Sequence, residues 1–128
     1  MRYFSLILIS FIYSASLLAG EISLGRDGLN ISAVYEKISE KKSDGTYFLY
    51  GKLEIKNKSE IEKNYSNKDL ILEVGSEQSR TYMDTVASNV IDFSYIKIFP
   101  GEEKPLDVYW VFHKPVNTEN QSVSLKWN

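Results

Sequence analysis

The sequence predicts an all-β chain, an immunoglobulin-like antiparallel β-sandwich of about seven or eight strands. Three observations predict it. Apolar residues recur at every second position over short runs, and Gly, Pro, Asn, Asp and Ser bound those runs. The runs are rich in Ile, Val, Tyr and Phe, which suit a pleated, half-buried surface better than a helix. Beyond the N-terminal stretch, no segment makes a convincing amphipathic helix. A closed barrel is the alternative, because periodicity does not fix which strands pair.

The elements follow in order. "GLNISAVYEKI" puts Leu29, Ile31, Ala33 and Tyr35 on one face and Asn30, Ser32 and Glu36 on the other. "KKSDG" then turns the chain, with Asp44-Gly45 suited to positive φ. "TYFLYGKLEIKN" sets Leu49, Gly51, Leu53 and Ile55 against Lys52, Glu54 and Lys56, so the two runs form an antiparallel pair. Asn57 to Lys68 is polar and charged. It reads as a long loop or a connection between sheets, anchored by Ile61; a short helix there would have only Ile61 and Tyr65 for its apolar face. "DLILEVG" turns Leu70, Leu72 and Val74 inward, and "RTYMDT" is a weaker strand. "VIDFSYIKIF" is β-rich and ends at a Pro100-Gly101 corner. "LDVYWVF" turns Leu106, Val108, Trp110 and Phe112 inward, opposite Asp107, Tyr109 and Val111, and Pro115 ends that strand. "SVSLKW" closes the domain with Val123, Leu125 and Trp127 on one face.

Residues 1–20 stand apart. Arg2 is followed by an apolar stretch interrupted by Ser5, Ser10, Ser14 and Ser16, with small residues at Ala19 and Gly20. That is the order of a secretory signal peptide. The expectation is a leader at 1–20, one domain at 21–128, and a mature chain that begins between Leu17 and Ile22. The exported product, periplasmic or extracellular, keeps no stable membrane insertion after cleavage. Leu18-Ala19-Gly20 resembles the end of a lipoprotein signal, but Glu21 follows and the chain has no cysteine to carry lipid. The core must therefore hold without disulfides, which a domain of about 100 residues can do.

The 128 residues suffice for a single packed domain. A net charge of −2, made more negative by loss of Arg2, argues against a nucleic-acid partner. Asn-X-Ser sequons at Asn30, Asn57, Asn64 and Asn120 read as coincidence in a chain rich in both residues.

One order of segments is familiar: "EIKNKS" (54–59), "DLILEV" (69–74), "IFPGEE" (98–103), "VYWVFHKP" (108–115) and a last apolar strand. It resembles the telokin-like immunoglobulin-fold domains of bacterial surface proteins and lipoproteins. The matching positions are Asn57, Ser59, Pro100, Gly101, Glu102, Phe112 and Pro115. The resemblance spans roughly residues 29–127 and implies a fold and an envelope location, but no reaction. The missing lipid-accepting cysteine and the charged loop at 57–68 depart from that pattern.

Residues suited to catalysis are scarce. His113 is the single histidine, and no Gly-x-Ser-x-Gly elbow or glycine-rich phosphate loop occurs. Asp84 with Asp92, and Glu102 with Glu103, are available carboxylates, but adjacent strand residues point to opposite faces. We therefore expect no catalytic site, no cofactor and no metal centre. The aromatic residues offer more. Phe48, Tyr50 and Tyr109 fall on the faces opposite the inward residues of their strands. They form the candidate binding surface of a non-enzymatic module whose partner is another envelope or extracellular protein. Stacking on envelope glycans, or a loop-borne cation site, is the alternative; a hydrolase ranks last.

Overall fold

A computed structural model of the chain describes residues 18–83 and 96–128. The strands are β1 (Leu18–Arg26), β2 (Leu29–Glu36), β3 (Glu40–Lys41), β4 (Tyr47–Asn57), β5 (Lys63–Tyr65), β6 (Leu70–Val74), β7 (Glu77–Met83), β8 (Ile96–Ile98), β9 (Glu103–Phe112) and β10 (Val123–Trp127). A single 3-10 turn, Asn67–Asp69, is the only helical element among the described residues. Every pairing between these strands is antiparallel, in the spatial order β1-β2-β4-β9-β7-β6-β10. The short β3 sits beside β4, and β5 and β8 form a separate ribbon.

The result is an all-β antiparallel sandwich. One layer is β1-β2-β4-β9 and the other is β6-β10. The seventh strand belongs to both: Glu77–Arg80 pair with β6, whereas Thr81–Met83 pair with β9. The path nearly closes on itself. Arg26 at the end of β1 lies over the Trp127 ring at the end of β10, 5.2 Å from its centroid, but no ladder joins these two strands among the described residues. That missing ladder separates the sandwich from a closed barrel.

The inward faces are those the alternation predicts. Leu29, Ile31, Ala33 and Tyr35 are buried on β2, Leu49, Leu53 and Ile55 on β4, and Leu106, Val108, Trp110 and Phe112 on β9. Leu70, Leu72, Val74 and Leu125 face them from the other layer. Trp110 is wholly buried, and its indole donates to Thr81 Oγ1 at 2.8 Å. Thr81 in turn donates to the Leu70 carbonyl at 2.9 Å, so one hydroxyl links β9, β7 and β6. Gly51 makes room for the indole: a Cβ there would lie 2.7 Å from Trp110 Cζ3 and strike the Val34 carbonyl.

The turns follow their residue chemistry. Gly45 has φ +89°, and Asp44 accepts from both the Thr46 amide and its hydroxyl. At the Pro100 corner, Gly101 has φ +77° and Glu102 N donates to the Phe99 carbonyl at 2.9 Å. Proline second and glycine third make this a type II turn.

Beside that turn lies Asn57, fully buried at the end of β4. Its Nδ2 donates to the carbonyls of Ile61 and Ile98, at 2.8 and 2.9 Å. Its Oδ1 accepts from the amide and hydroxyl of Ser59, at 2.9 and 2.6 Å. The carboxamide thus pins the 58–61 loop to β8, and the Asn57 sequon is closed in the folded chain.

Three expectations need revision or restriction. Ile61 does not anchor the 57–68 connection; it is 62% exposed, because Asn57 holds the loop by its backbone and Tyr65 supplies the buried side chain. The first strand, Leu18–Arg26, has no counterpart among the expected strands. Asp27-Gly28, both at positive φ, make the two-residue hairpin turn that ties β1 to β2. Its first three residues, Leu18 to Gly20, overlap the expected leader; from Glu21 to Arg26 the register against β2 continues without a shift. In the "VIDFSYIKIF" run only Ile96–Ile98 and Phe99 lie within the described residues.

Candidate functional site

The outer face of β4, β9 and β7 carries four aromatic side chains in contact. Tyr50 and Tyr82 are the direct cross-strand partners of Tyr109, while Phe48 reaches it diagonally. The Phe48 and Tyr109 rings stack at 4.7 Å with 12° between planes, and Tyr82 and Tyr109 stack at 5.4 Å and 15°. These spacings follow from the sheet, since neighbouring strands lie about 4.8 Å apart. Tyr50 leans against the stack, edge-on to Phe48 at 6.1 Å and tilted to Tyr109 at 6.2 Å. All four are half-buried.

Cations flank the stack. Lys42 Nζ stands 5.0 Å from the Phe48 centroid and 5.2 Å from that of Tyr50, and it also pairs with Glu40 at 2.9 Å. The Tyr50 hydroxyl, then the Glu40 carboxylate, hold the Lys42 pKa up at about 12. Arg80 Cζ lies 5.6 Å from the Tyr82 ring, two residues along the same strand. Across the sheet the order is therefore cation, ring, ring, ring. Glu36, at the nearby end of β2, has its pKa raised by burial, against the opposing pull of the Tyr50 backbone.

The structure places Phe48, Tyr50 and Tyr109 on one face, together with Tyr82, Lys42 and Arg80. Tyr82 was legible as a strand residue, but its register against Tyr109 was not, because β7 is far from β9 in sequence. Lys42 carries no sequence signal beyond its place in a turn.

Other candidates fall elsewhere. His113 is exposed just beyond β9. Asp84 and Asp92 lie outside the described residues. Glu102 spends its carboxylate inside the turn: it accepts from the Phe99 amide at 2.9 Å, which chiefly lowers its pKa, with Lys104 adding to this. Glu103 begins β9, exposed and paired in register with Lys56. Among the described residues, no three His, Cys, Asp or Glu side chains converge as metal ligands.

Comparison with family models, with curated proteins and with solved structures finds no match for this chain. The functional reading therefore rests on the geometry of this chain.

Proposed function

We propose that this chain is an exported, non-enzymatic immunoglobulin-like module of the telokin-like kind, which binds another envelope or extracellular protein through the Phe48–Tyr50–Tyr82–Tyr109 face. One observation carries the reading. Four aromatic side chains, three of them with a hydroxyl, sit half-exposed on a rigid sheet face flanked by cations. Tyrosine gives contact area at low entropic cost and keeps a polar tip for the rim of an interface. Strand placement preorganises the rings, so binding does not have to order them.

Ring geometry favours a protein over a glycan. A sugar stacks on an open ring face, but Phe48 and Tyr82 occupy both faces of Tyr109. The Tyr109 ring therefore offers no open face to a sugar.

The experiment compares two baits, the 21–128 domain and its Tyr50→Ser/Tyr109→Ser variant, against envelope extract. A protein retained by the first and lost by the second, with both baits melting cooperatively, supports the reading. Identical retention by both overturns it. Cell fractionation with N-terminal sequencing tests export separately: an intact Met1 species in the membrane pellet, resistant to alkaline washing, would replace release by anchoring.

A further inference from the structure

The chain holds two Asp-Gly pairs, Asp27-Gly28 and Asp44-Gly45, and both sit in tight turns. An aspartate before glycine is where a chain can rearrange without an enzyme, because a residue with no Cβ leaves its own nitrogen open to the neighbouring carboxyl. The structure holds the two pairs differently. At Asp44-Gly45 both reacting groups are engaged. Asp44 Oδ1 accepts from the Thr46 hydroxyl at 2.6 Å and from the Thr46 amide at 3.0 Å. The hydroxyl chiefly, and then the amide, hold the Asp44 pKa below its ordinary value, so the group stays ionised and is a poor target for a nucleophile. The Gly45 N–H donates to the Lys42 carbonyl at 3.0 Å.

At Asp27-Gly28 both groups are open. The Asp27 side chain is 79% exposed, and Arg26 Nε stands 3.8 Å from its Oδ2, on a side chain that is itself 52% exposed. Such a contact in water does little to hold either group. The Gly28 carbonyl accepts from the Lys58 amide at 2.7 Å, but the Gly28 N–H has no acceptor among the described residues. Asp27 is also the one non-glycine residue at positive φ among the described residues, at +52°. That region costs an L residue more than it costs glycine, so Asp27 holds a backbone strain that Asp44 does not.

We propose that Asp27 is a site of spontaneous isomerisation to isoaspartate, and that its turn protects Asp44 from the same reaction. The Gly28 nitrogen loses its proton and attacks Cγ of the Asp27 carboxyl. A Cγ–N bond forms, a Cγ–O bond breaks and one water leaves, giving a five-membered cyclic imide. Water then adds to one of the two ring carbonyls. Opening at Cγ restores aspartate. Opening at the main-chain carbonyl breaks the old peptide C–N bond and leaves the chain running through Cγ. Composition is unchanged, and no oxidant or reductant takes part. The two-residue turn gains one main-chain methylene, so the Arg26↔Leu29 pair that it closes then sits on a longer loop.

The test incubates the folded full chain in H₂¹⁸O and follows each aspartate by mass spectrometry of its peptide. Every ring opening inserts one ¹⁸O, and the isoaspartyl form gives fragment ions of its own. The Asp27 peptide is expected to gain label about tenfold faster than the Asp44 peptide, because hydrogen bonds to a charged group must break at Asp44 before its ring can close. In urea, where both turns are lost, the two rates should converge. Thr46→Val removes the hydroxyl at Asp44, and it is expected to speed labelling there while leaving Asp27 as it was. Equal rates in the folded chain, or faster labelling at Asp44, overturn the proposal. So does an Asp27 peptide that stays unlabelled, or a Thr46→Val chain in which Asp44 stays as slow as before. A difference between the two peptides that persists undiminished in urea also overturns it, since its cause would then lie in local sequence and not in the turns.

Discussion

Replacing Asn57 by alanine removes four side-chain hydrogen bonds at once. They do not count equally. The Ile98 carbonyl is buried and loses this donor inside the domain, whereas the Ile61 carbonyl keeps the Ser59 hydroxyl. The Ser59 groups lie at a loop where water can reach them. One buried acceptor stripped of its donor costs about 1–3 kcal/mol, and the other three bonds contribute about 0.5–1 kcal/mol each, so Asn57→Ala should cost about 2.5–6 kcal/mol. That is a large share of the roughly 5–15 kcal/mol that holds a domain together. Urea unfolding followed by tryptophan fluorescence measures it: the midpoint falls and the slope stays constant. Asn57→Asp sharpens the test. The new oxygen would face two carbonyl oxygens, with no proton to share until the acid is neutral. Its folded pKa is then raised above the unfolded value, so its penalty is absent at low pH and grows as pH rises through that folded value. At pH 7 the aspartate should cost more than the alanine, and in acid the order should reverse. An alanine variant within 1 kcal/mol of the parent, or an aspartate milder than alanine at pH 7, would refute this account of the turn.

Other expected outcomes concern the interior and one exposed turn. Thr81→Val leaves the Trp110 indole N–H without its acceptor and should cost about 1–3 kcal/mol; with Trp110→Phe already in place the same change should cost much less, and a double-mutant cycle reads the difference. Gly51→Ala forces a methyl against the Val34 carbonyl and the Trp110 ring, so melting should report a loss of about 1–3 kcal/mol, with a near-neutral result contradicting the packing. Glu102 is held below its ordinary value of 4.5 by the Phe99 amide, so its contribution is present above 4.5 and is lost as pH falls through the lower folded value. The Phe99 amide shift should titrate with that carboxylate, and a midpoint at or above 4.5 would break the link.

How far the sequence carried depended on the kind of constraint. Alternation alone placed Leu49, Leu53, Val108 and Trp110 inward, because a period of two leaves no other face for them. The Pro100-Gly101 and Asp44-Gly45 corners were legible because backbone sterics there admit few residues. Pairing was less legible: that Tyr82 lies against Tyr109 depends on β7 crossing between layers, which no local pattern encodes. The first strand was hidden for a different reason. Its residues run on from an apolar leader-like stretch, so the composition of 1–20 masked a hairpin that Asp27-Gly28 announces. Asn57 looked like a strand-end asparagine; its role depends on the carbonyls of Ile61 and Ile98, one of them far along the chain.

The double allegiance of β7 has a mechanical consequence. The two layers share one continuous spine there, and among the described residues no ladder joins them where β1 faces β10. Opening along that side breaks no backbone ladder, whereas separating β4 from β9 breaks one that runs from Tyr47 to Lys56. The parting that breaks no ladder is therefore a local one between the β1 and β10 edges, where Arg26 lies over Trp127. Amide exchange should be fast along the facing edges of β1 and β10 and slow along β4 and β9. Local parting of those edges would release the Arg26–Trp127 contact, whereas the Leu49, Leu72 and Trp110 packing between the layers would hold.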